Sequence, residues 1–377
     1  MKRILTITFL NFFVSGGITL IVPLLLLERK IDLIEISMVL SVLPLVFFIV
    51  RLILAAFADF KGWHRLYLLI NWPATFFSTL IYAIANSTSL FLFGKMIEAI
   101  KESSYWGVNR TAIFSLSPKT KEKEATKNSA VLALATATGS AVAGIGISYF
   151  GFSFAISLFL FASIIIGIPA ALLWRTPRKT ESKECGVKDL LNPLKRGRMF
   201  WCISFVLLFF SIARYPLLYL ILPAFMVQEL GYSYITIGLI YMFYNLFSSS
   251  VTFTTLKTSL SAKRAFFQSL LALIATFFLS NFLGYFPVFV ILFAIAEGLS
   301  MGFFESIIAK ATKNSACISV DIGMLHIPMR LSEFFSILYA GLLAESVGYM
   351  PVFILSGVFF SIFSLSSWFF LKKYFRV

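Results

Sequence analysis

Residues 58–70 read ADFKGWHRLYLLI, and residues 257–269 read KTSLSAKRAFFQS. Each stretch places a short polar turn between two long apolar segments, and the turns align with Arg65 over Arg264. Three further matches occur in the same order at an offset of about 200 residues. They are Pro23 with Pro223, Glu98 with Glu297, and GIGISYFGF (144–152) with GLLAESVGY (341–349). The chain is therefore predicted to contain two related halves in parallel repeat.

The composition of the chain predicts a protein that lies within a membrane. Of its 377 residues, 59% are hydrophobic and 13% are charged, whereas soluble proteins average about 25% charged residues. Windows of about 20 residues separate twelve apolar segments, each long enough to cross a bilayer as a helix. The predicted segments are 4–26, 34–57, 66–85, 90–115, 128–149, 152–174, 199–223, 233–256, 264–284, 286–309, 324–346 and 350–371.

The net charge of +15 has two possible sources, nucleic-acid binding and membrane topology. The placement of the basic residues favours membrane topology as the source. Of the 32 Lys and Arg residues, 25 lie in loops, tails or helix ends on one side of the predicted helices. Only Arg29 and Lys30 lie in loops on the other side. Basic residues collect on the cytoplasmic side of a membrane. We therefore expect a multi-pass protein of the cell membrane, with both termini cytoplasmic and no nucleic-acid partner.

One long polar segment divides the chain almost in half. Residues 175–198, RTPRKTESKECGVKDLLNPLKRGR, are predicted to form a solvated, basic cytoplasmic linker, and a regulatory role for it stays open. The expected domains are an N-terminal six-helix half at 1–174, this linker at 175–198, and a C-terminal six-helix half at 199–377. The predicted fold class is an all-α polytopic membrane protein with twelve transmembrane helices in two six-helix parallel repeats.

Two six-helix repeats around a basic central loop resemble the major facilitator superfamily of secondary transporters. The loop between helices two and three of that family reads Gly-x-Leu-Ala-Asp-Arg-x-Gly-Arg-Arg, and residues 55–65 here read AAFADFKGWHR. Asp59, Gly62 and Arg65 match the family pattern in spacing. The resemblance implies that these three residues form a gating latch between the halves. The alternative is an ordinary polar turn that faces water, and in the second half Thr258 replaces the aspartate.

Two other helices match the family pattern in part. In helix four, Lys95, Glu98 and Ala99 occupy positions where the family has Arg, a polar residue and Gly. The resemblance places Lys95 and Glu98 on the family's substrate- or proton-coupling helix. In helix five, GSAVAG (139–144) stands where proton–drug antiporters have Gly-Pro-x-x-Gly-Gly. The small residues favour close helix packing, and the missing proline weakens an antiporter assignment.

Charges within the apolar segments are the main functional signal. The fourth segment contains GKMIEAIKESSYWGVNR (94–110), and helical spacing places its polar residues within a stripe of about 140°. Each charge costs about 2.5–3.5 kcal/mol at the bilayer centre, so the stripe is predicted to face a protein interior or an aqueous cavity. A structural ion-pair network that ties helix four to its neighbours is the alternative.

Ten residues are predicted to line a substrate or proton pathway, because they are polar or charged within apolar segments. They are Asn11, Lys95, Glu98, Lys101, Glu102, Asn109, Arg214, Glu297, Arg330 and Glu333. In the family that the chain resembles, helices one, four, seven and ten line a central cavity. Three of these four helices carry a charge near mid-membrane here.

The predicted function is secondary active transport of a small organic solute by alternating access, coupled to protons. Charges of both signs suit an anionic or zwitterionic substrate, with Arg or Lys as its counter-ion. Two alternatives stay open: a multidrug or quinolone-type proton antiporter for efflux, and a membrane sensor or scaffold that transports nothing. The sequence contains no phosphate-binding loop, Cys/His cluster or Ser/His/Asp constellation, so no enzyme activity, metal or cofactor is expected. The expected partners are the substrate, protons and the lipid bilayer, and one chain is expected to act as a monomer.

Overall fold

The structure is a computed structural model that describes residues 1–61, 64–116, 121–174, 196–255, 260–312 and 318–375. All regular secondary structure in these residues is helical. We number twelve helices, of which several consist of consecutive pieces. They are α1 (Lys2–Glu28), α2 (Leu33–Lys61), α3 (His64–Leu66, Tyr67–Asn71 and Trp72–Ile84), α4 (Thr88–Leu116), α5 (121–150), α6 (152–165 and Gly167–Trp174), α7 (Arg198–Pro216, Leu217–Ile221 and Leu222–Gln228), α8 (Tyr234–Thr255), α9 (Ala262–Asn281), α10 (Phe286–Ala311), α11 (Ile318–Leu325 and Ile327–Ser346) and α12 (Met350–Phe375).

Two features bring the number of membrane crossings to twelve in the described residues. By length and composition alone, ten stretches qualify as spans, and one of them, Thr126–Trp174, has 49 residues. A helix of that length would extend about 70 Å, more than twice the apolar thickness of a bilayer. The chain reverses at Gly151, whose φ of 81° and ψ of 171° are not helical, so this stretch is two crossings. Thr88–Leu116 is helical throughout but carries too many charges to qualify by composition.

The predicted fold class is confirmed, and the differences lie at helix ends. The turn predicted between 149 and 152 is found at Gly151. Helix α11 begins at Ile318, six residues before its predicted start. The domain boundaries at 174 and 199 stay predictions, because residues 175–195 of the predicted linker lie outside the described residues.

A π-helical turn interrupts each of two helices, α3 and α7, near a polar side chain that lies inside the protein. In α7 the α-helix ends at Pro216, and a π-helical turn follows over Leu217–Ile221. Pro216 has no backbone N–H to donate, which loosens the helix directly beside Arg214. In α3 a π-helical turn spans Tyr67–Asn71 and places the side chain of Asn71 in the interior of the N-terminal half.

Because the number of helices is even, both chain ends lie on one side of the membrane. We call this the terminus side and the opposite one the far side. On the far side, one apolar core runs through both halves and contains residues of all twelve helices. On the terminus side each half has a core of its own, one in the N-terminal half and one in the C-terminal half. The two halves are therefore packed most completely at their far-side ends.

Small residues allow α5 and α8 to touch on the far side. A Cβ atom on Gly144 would lie 2.4 Å from the Tyr234 carbonyl oxygen and 2.9 Å from the Gly238 Cα. One turn further along α5, Ser148 Oγ accepts a 3.0 Å hydrogen bond from the backbone N–H of Ile235. The helices thus meet backbone to backbone, as glycine-rich contacts in membranes permit.

The pair α2 and α11 makes the other long contact between the halves. Near the far side, a Cβ on Gly341 would lie 2.4 Å from the Ser37 Cβ, and Glu345 accepts a hydrogen bond from the Leu33 N–H at 3.1 Å. Near the terminus side, Arg51 Nη1 lies 3.3 Å from His326 Nδ1. This pair therefore joins the halves over most of the membrane thickness.

The glycine contact predicts a position-specific loss of stability. Gly144→Ala places a methyl group against the backbone of α8, and overpacking of this kind costs about 1–3 kcal/mol. We expect its melting temperature in detergent to fall below that of the unmodified protein. Gly146→Ala is the matched control on the same helix, because its Cβ would make only a 3.4 Å contact with the Ala155 Cβ. Equal melting temperatures for the two variants would contradict the close α5–α8 contact.

Candidate functional site

Charged side chains gather at one depth of the molecule. Glu102 lies at the middle of α4, Arg214 at the middle of α7 and Glu297 at the middle of α10. Arg330 and Glu333 lie at the middle of α11. Since helix midpoints share the depth of the bilayer centre, these side chains form one belt across both halves.

The first ion pair of the N-terminal half is deeply buried. Lys95 Nζ lies 2.8 Å from Glu98 Oε2, one turn along α4. The Tyr82 hydroxyl of α3 donates a 2.7 Å hydrogen bond to the same oxygen. Both charged side chains are about 3% exposed. This pair therefore joins α4 to α3 and is closed to water.

The second pair of α4 is partly open. Lys101 Nζ lies 2.9 Å from Glu102 Oε1 and donates a 2.7 Å hydrogen bond to Ser15 Oγ of α1. Ser15 in turn donates to Glu102 Oε1 at 3.1 Å, and Trp106 Nε1 donates to Glu102 Oε2 at 3.0 Å. Lys101 is buried, whereas the Glu102 side chain keeps 16% of its surface exposed.

The C-terminal half contains a pair that resembles the first one. Arg214 Nε lies 2.7 Å from Glu297 Oε1, and the Tyr244 hydroxyl donates to Glu297 Oε2. Glu98 and Glu297 align in the sequence repeat, and each accepts from one basic side chain and one tyrosine hydroxyl. The partners come from different helices, since Tyr82 is on α3 and Tyr244 is on α8.

A fourth pair lies on α11, where it meets the N-terminal half. Arg330 Nη1 lies 2.5 Å from Glu333 Oε2. The Arg330 guanidinium stacks over the Phe47 ring of α2, 4.2 Å from the centroid, and over the Tyr215 ring of α7 at 5.4 Å. Arg330 Nε and Glu333 Oε1 are buried and have no hydrogen-bond partner among the described residues. An unpaired buried polar atom is costly, so this pair has unused capacity for a ligand or a water molecule.

Charged groups of both halves lie within electrostatic range of one another at this depth. The Glu333 carboxylate lies within electrostatic range of Arg330, Arg214 and, across the two halves, Glu102. Three charged side chains of the belt remain partly exposed to solvent. The exposed fraction is 21% for Arg214, 12% for Arg330 and 16% for Glu102. These three side chains define the junction site, a partly open place between the halves at mid-depth.

The two asparagines of the predicted pathway lie in hydrogen-bond networks of the N-terminal half. Asn11 donates to Asn71 Oδ1 at 2.8 Å and accepts from Thr75 at 3.2 Å. Asn109 donates to the Tyr67 hydroxyl at 3.4 Å and accepts from Asn128 at 3.1 Å. Both side chains are buried, and every one of these partners belongs to the same half.

Of the three residues of the predicted latch, the structure describes the side chain of Arg65 alone. Gly62 and the side chain of Asp59 lie outside the described residues, so the latch stays a prediction. Arg65 is exposed, and its guanidinium lies over the Trp174 ring of α6, 5.4 Å from the centroid. Among the described residues, no group of three or more His, Cys, Asp or Glu side chains is arranged to hold a metal ion.

Sequence reasoning missed the aromatic residues of the site. Tyr82, Tyr244, Tyr215 and Phe47 contact the charged pairs, yet aromatic residues are so frequent in this chain that they gave no signal. Tyrosines inside predicted membrane helices, paired with a carboxylate elsewhere, are the pattern that indicates such contacts, because a buried hydroxyl needs a partner.

Twelve helices with charged side chains at mid-depth define a multi-pass membrane protein. The family model described as Major Facilitator Superfamily matches residues 4–320. The chain therefore belongs to this superfamily, as the motifs in the sequence suggest.

Solved structures show the same fold at low sequence identity. The human organic anion transporter MFSD10 (TETRAN) matches with a TM-score of 0.72 and 16% identity, over 97% of this chain and 99% of that one. A bacterial homologue of the human lysosomal transporter Spinster, solved in an inward-facing and occupied conformation, matches with a TM-score of 0.76 and 14% identity, over 100% of this chain and 97% of that one. No curated protein sequence matches the chain.

The Lys95–Glu98 pair predicts a dependence of stability on both partners. Lys95→Met leaves a buried carboxylate without its cation, which costs about 3–5 kcal/mol for pairs of this kind. The double variant Lys95→Met/Glu98→Gln removes both charges and keeps an acceptor for the Tyr82 hydroxyl. We expect the double variant to melt at a higher temperature than the single variant in detergent. A double variant no more stable than the single one would show that the two charges are not coupled.

Proposed function

We propose that the protein is a secondary active transporter that moves a small organic anion or zwitterion across the membrane by alternating access, coupled to protons. The observation that carries the proposal is the junction site, where Glu102 of one half and Arg214 and Arg330 of the other stay partly exposed at one depth. Intramembrane charges are costly and usually functional. A cytoplasmic location of the termini and a monomer in the cell membrane belong to the same proposal.

The basic groups of the junction site suit a carboxylate or a similar anion. A guanidinium presents a planar fork of donors that matches a carboxylate, and Arg330 has a nitrogen that no protein acceptor uses. The rings of Tyr215 and Phe47 lie beside these groups and provide apolar surface for the body of an organic substrate. Lys95 is a third candidate counter-ion, which would act only after its pair with Glu98 opens. The transport of organic anions by human MFSD10 supports the proposal only in that the same fold serves such substrates.

Three carboxylates are candidates for the coupling proton. They are Glu98, Glu102 and Glu297. Glu102 is the most exposed of the three, and Lys101 neutralises it at 2.9 Å. A proton on Glu102 would remove that ion pair and leave the Lys101 ammonium to Ser15 alone. The charge of the junction site would then be more positive, which favours an anion beside Arg214 and Arg330.

The packing of the halves supports an opening toward the terminus side in this conformation. The far-side ends share one core, and the terminus-side ends have separate cores. In an alternating cycle the far-side contacts between α5 and α8 would separate while the terminus-side ends come together. The junction site lies between these two regions.

Neutralising the coupling carboxylates is expected to stop transport driven by pH. The double variant Glu98→Gln/Glu102→Gln keeps hydrogen-bonding capacity and removes the groups that titrate. We expect it to lose uptake or efflux driven by a pH gradient in proteoliposomes, with Glu102→Gln alone giving most of the loss. Glu229→Gln, at an exposed far-side position, is the control. Unchanged transport by the double variant would refute the proton assignment.

Changing the shape of the Arg214 side chain is expected to weaken substrate binding without disturbing the fold. Arg214→Lys keeps the charge that pairs with Glu297 but loses the planar fork. We expect KM for organic anions to rise about tenfold, the equivalent of one weakened charge-assisted bond. Arg29→Lys on the far side is the control.

The substrate class is tested by measuring the flux of carboxylates, amino acids and cationic dyes in proteoliposomes. We expect transport of the anions or zwitterions, and transport of the dyes alone would contradict the proposal.

A further inference from the structure

An apolar groove lies between α3 and α6 in their terminus-side halves. It encloses about 490 Å³, within the usual range of small-molecule sites of about 300–1,000 Å³. Leu68 and Trp72 form one wall, and Ile164, Ile168 and Leu172 form the other. The three α6 side chains are 42–64% exposed, so the groove opens toward the hydrocarbon of the bilayer.

The shape of the groove depends on one small residue. A Cβ on Gly167 would lie 2.7 Å from the Trp72 ring, so glycine lets the indole sit against α6. The buried Trp72 Nε1 has no hydrogen-bond partner in the part of the chain that the structure describes. The wall on the α3 side thus presents a flat aromatic surface, against which an extended chain of methylene groups can pack.

Two arginines stand at the terminus-side end of the groove. Arg3 Nη1 donates a 2.7 Å hydrogen bond to the carbonyl oxygen of Leu172, a residue of the groove wall. Arg65 lies one turn before Leu68 on α3 and stacks on Trp174, two residues beyond Leu172. Both arginines are exposed. The terminus-side end of the apolar groove therefore lies beside two positive charges at the membrane surface.

We propose that this groove binds an anionic phospholipid, with an acyl chain between α3 and α6 and the headgroup phosphate on Arg3 and Arg65. The charge and the position of the groove carry the choice of occupant. Basic groups beside the ends of transmembrane helices bind anionic headgroups, and Trp174 lies at the depth where tryptophan meets the membrane interface. This site is separate from the junction site and does not depend on the transport function.

The site predicts a selective stabilisation that can be measured on the full chain in detergent. Thermal unfolding is followed with added phosphatidylglycerol, phosphatidylcholine of the same acyl chains, or inorganic phosphate. Phosphatidylglycerol should raise the melting temperature, and the other two additives should not. Arg3→Gln/Arg65→Gln should weaken the apparent affinity for phosphatidylglycerol about 30-fold, since each basic group contributes about fivefold.

Two control variants separate specific binding from a general effect of charge or bulk. Arg29→Gln/Lys30→Gln removes two charges on the far side and should keep the phosphatidylglycerol effect. Ala171→Trp fills the groove and retains both arginines, and it should abolish that effect, whereas Ala83→Trp at the other end of α3 should not. If Ala171→Trp does not fold, the two charge variants decide alone. Equal stabilisation by phosphatidylcholine or phosphate, or an unchanged response of Arg3→Gln/Arg65→Gln, would overturn the proposal.

Discussion

A charged side chain near the centre of a bilayer costs about 2.5–3.5 kcal/mol of free energy. In this protein four ion pairs offset that cost, and both partners of each pair belong to the same half. Lys95 with Glu98 and Lys101 with Glu102 are pairs of the N-terminal half. The C-terminal half has its own pairs, Arg214 with Glu297 and Arg330 with Glu333. None of these four pairs crosses from one half to the other. The halves can therefore move relative to each other without leaving any of these charges unpaired.

The described contacts that do cross between the halves are of a different kind. On the far side they are glycine packing, apolar core and single hydrogen bonds, such as the one that Ser148 Oγ accepts from the Ile235 backbone N–H. At mid-depth the guanidinium of Arg330 rests on the ring of Phe47. Two further hydrogen bonds between α2 and α11 involve charged groups, Arg51 with His326 and Glu345 with the Leu33 N–H. Each of these contacts is modest, about 0.5–1.5 kcal/mol for a neutral hydrogen bond and about 1.5–3 kcal/mol for one to a charged group. An interface composed of them can separate and form again, which a transport cycle requires.

The sequence predicted the architecture well because hydrophobic length and charge placement are local properties. Helical spacing also accounts for the pair of Lys95 and Glu98, since residues three apart lie on one face of a helix. Spacing could not predict which partners other helices supply. Lys101 lies at the edge of the predicted polar stripe, yet it is buried because its ammonium pairs with Glu102 and donates a hydrogen bond to Ser15 of α1. Trp106 lies within the stripe and is 41% exposed.

Asn11 illustrates the same limit in another way. A polar residue in an apolar helix predicts an interior position, and its side chain is indeed buried. Its partners are Asn71 and Thr75 of α3, and Asn71 reaches it from a π-helical turn that no local pattern foretells. Residues of a network and residues of a pathway therefore look alike in the sequence, and only the tertiary contacts distinguish them.

The proposed transport cycle requires the two halves to separate on the far side. The most direct measurement uses Ser148→Cys with Ile235→Cys, in a chain whose Cys185, Cys202 and Cys317 are serine. The Ser148 side chain lies 3.0 Å from the Ile235 backbone nitrogen, within reach of a disulfide. Flux in proteoliposomes is then compared before and after oxidation. Loss of transport on cross-linking and its return on reduction are predicted, whereas full transport by the cross-linked protein would contradict the claim.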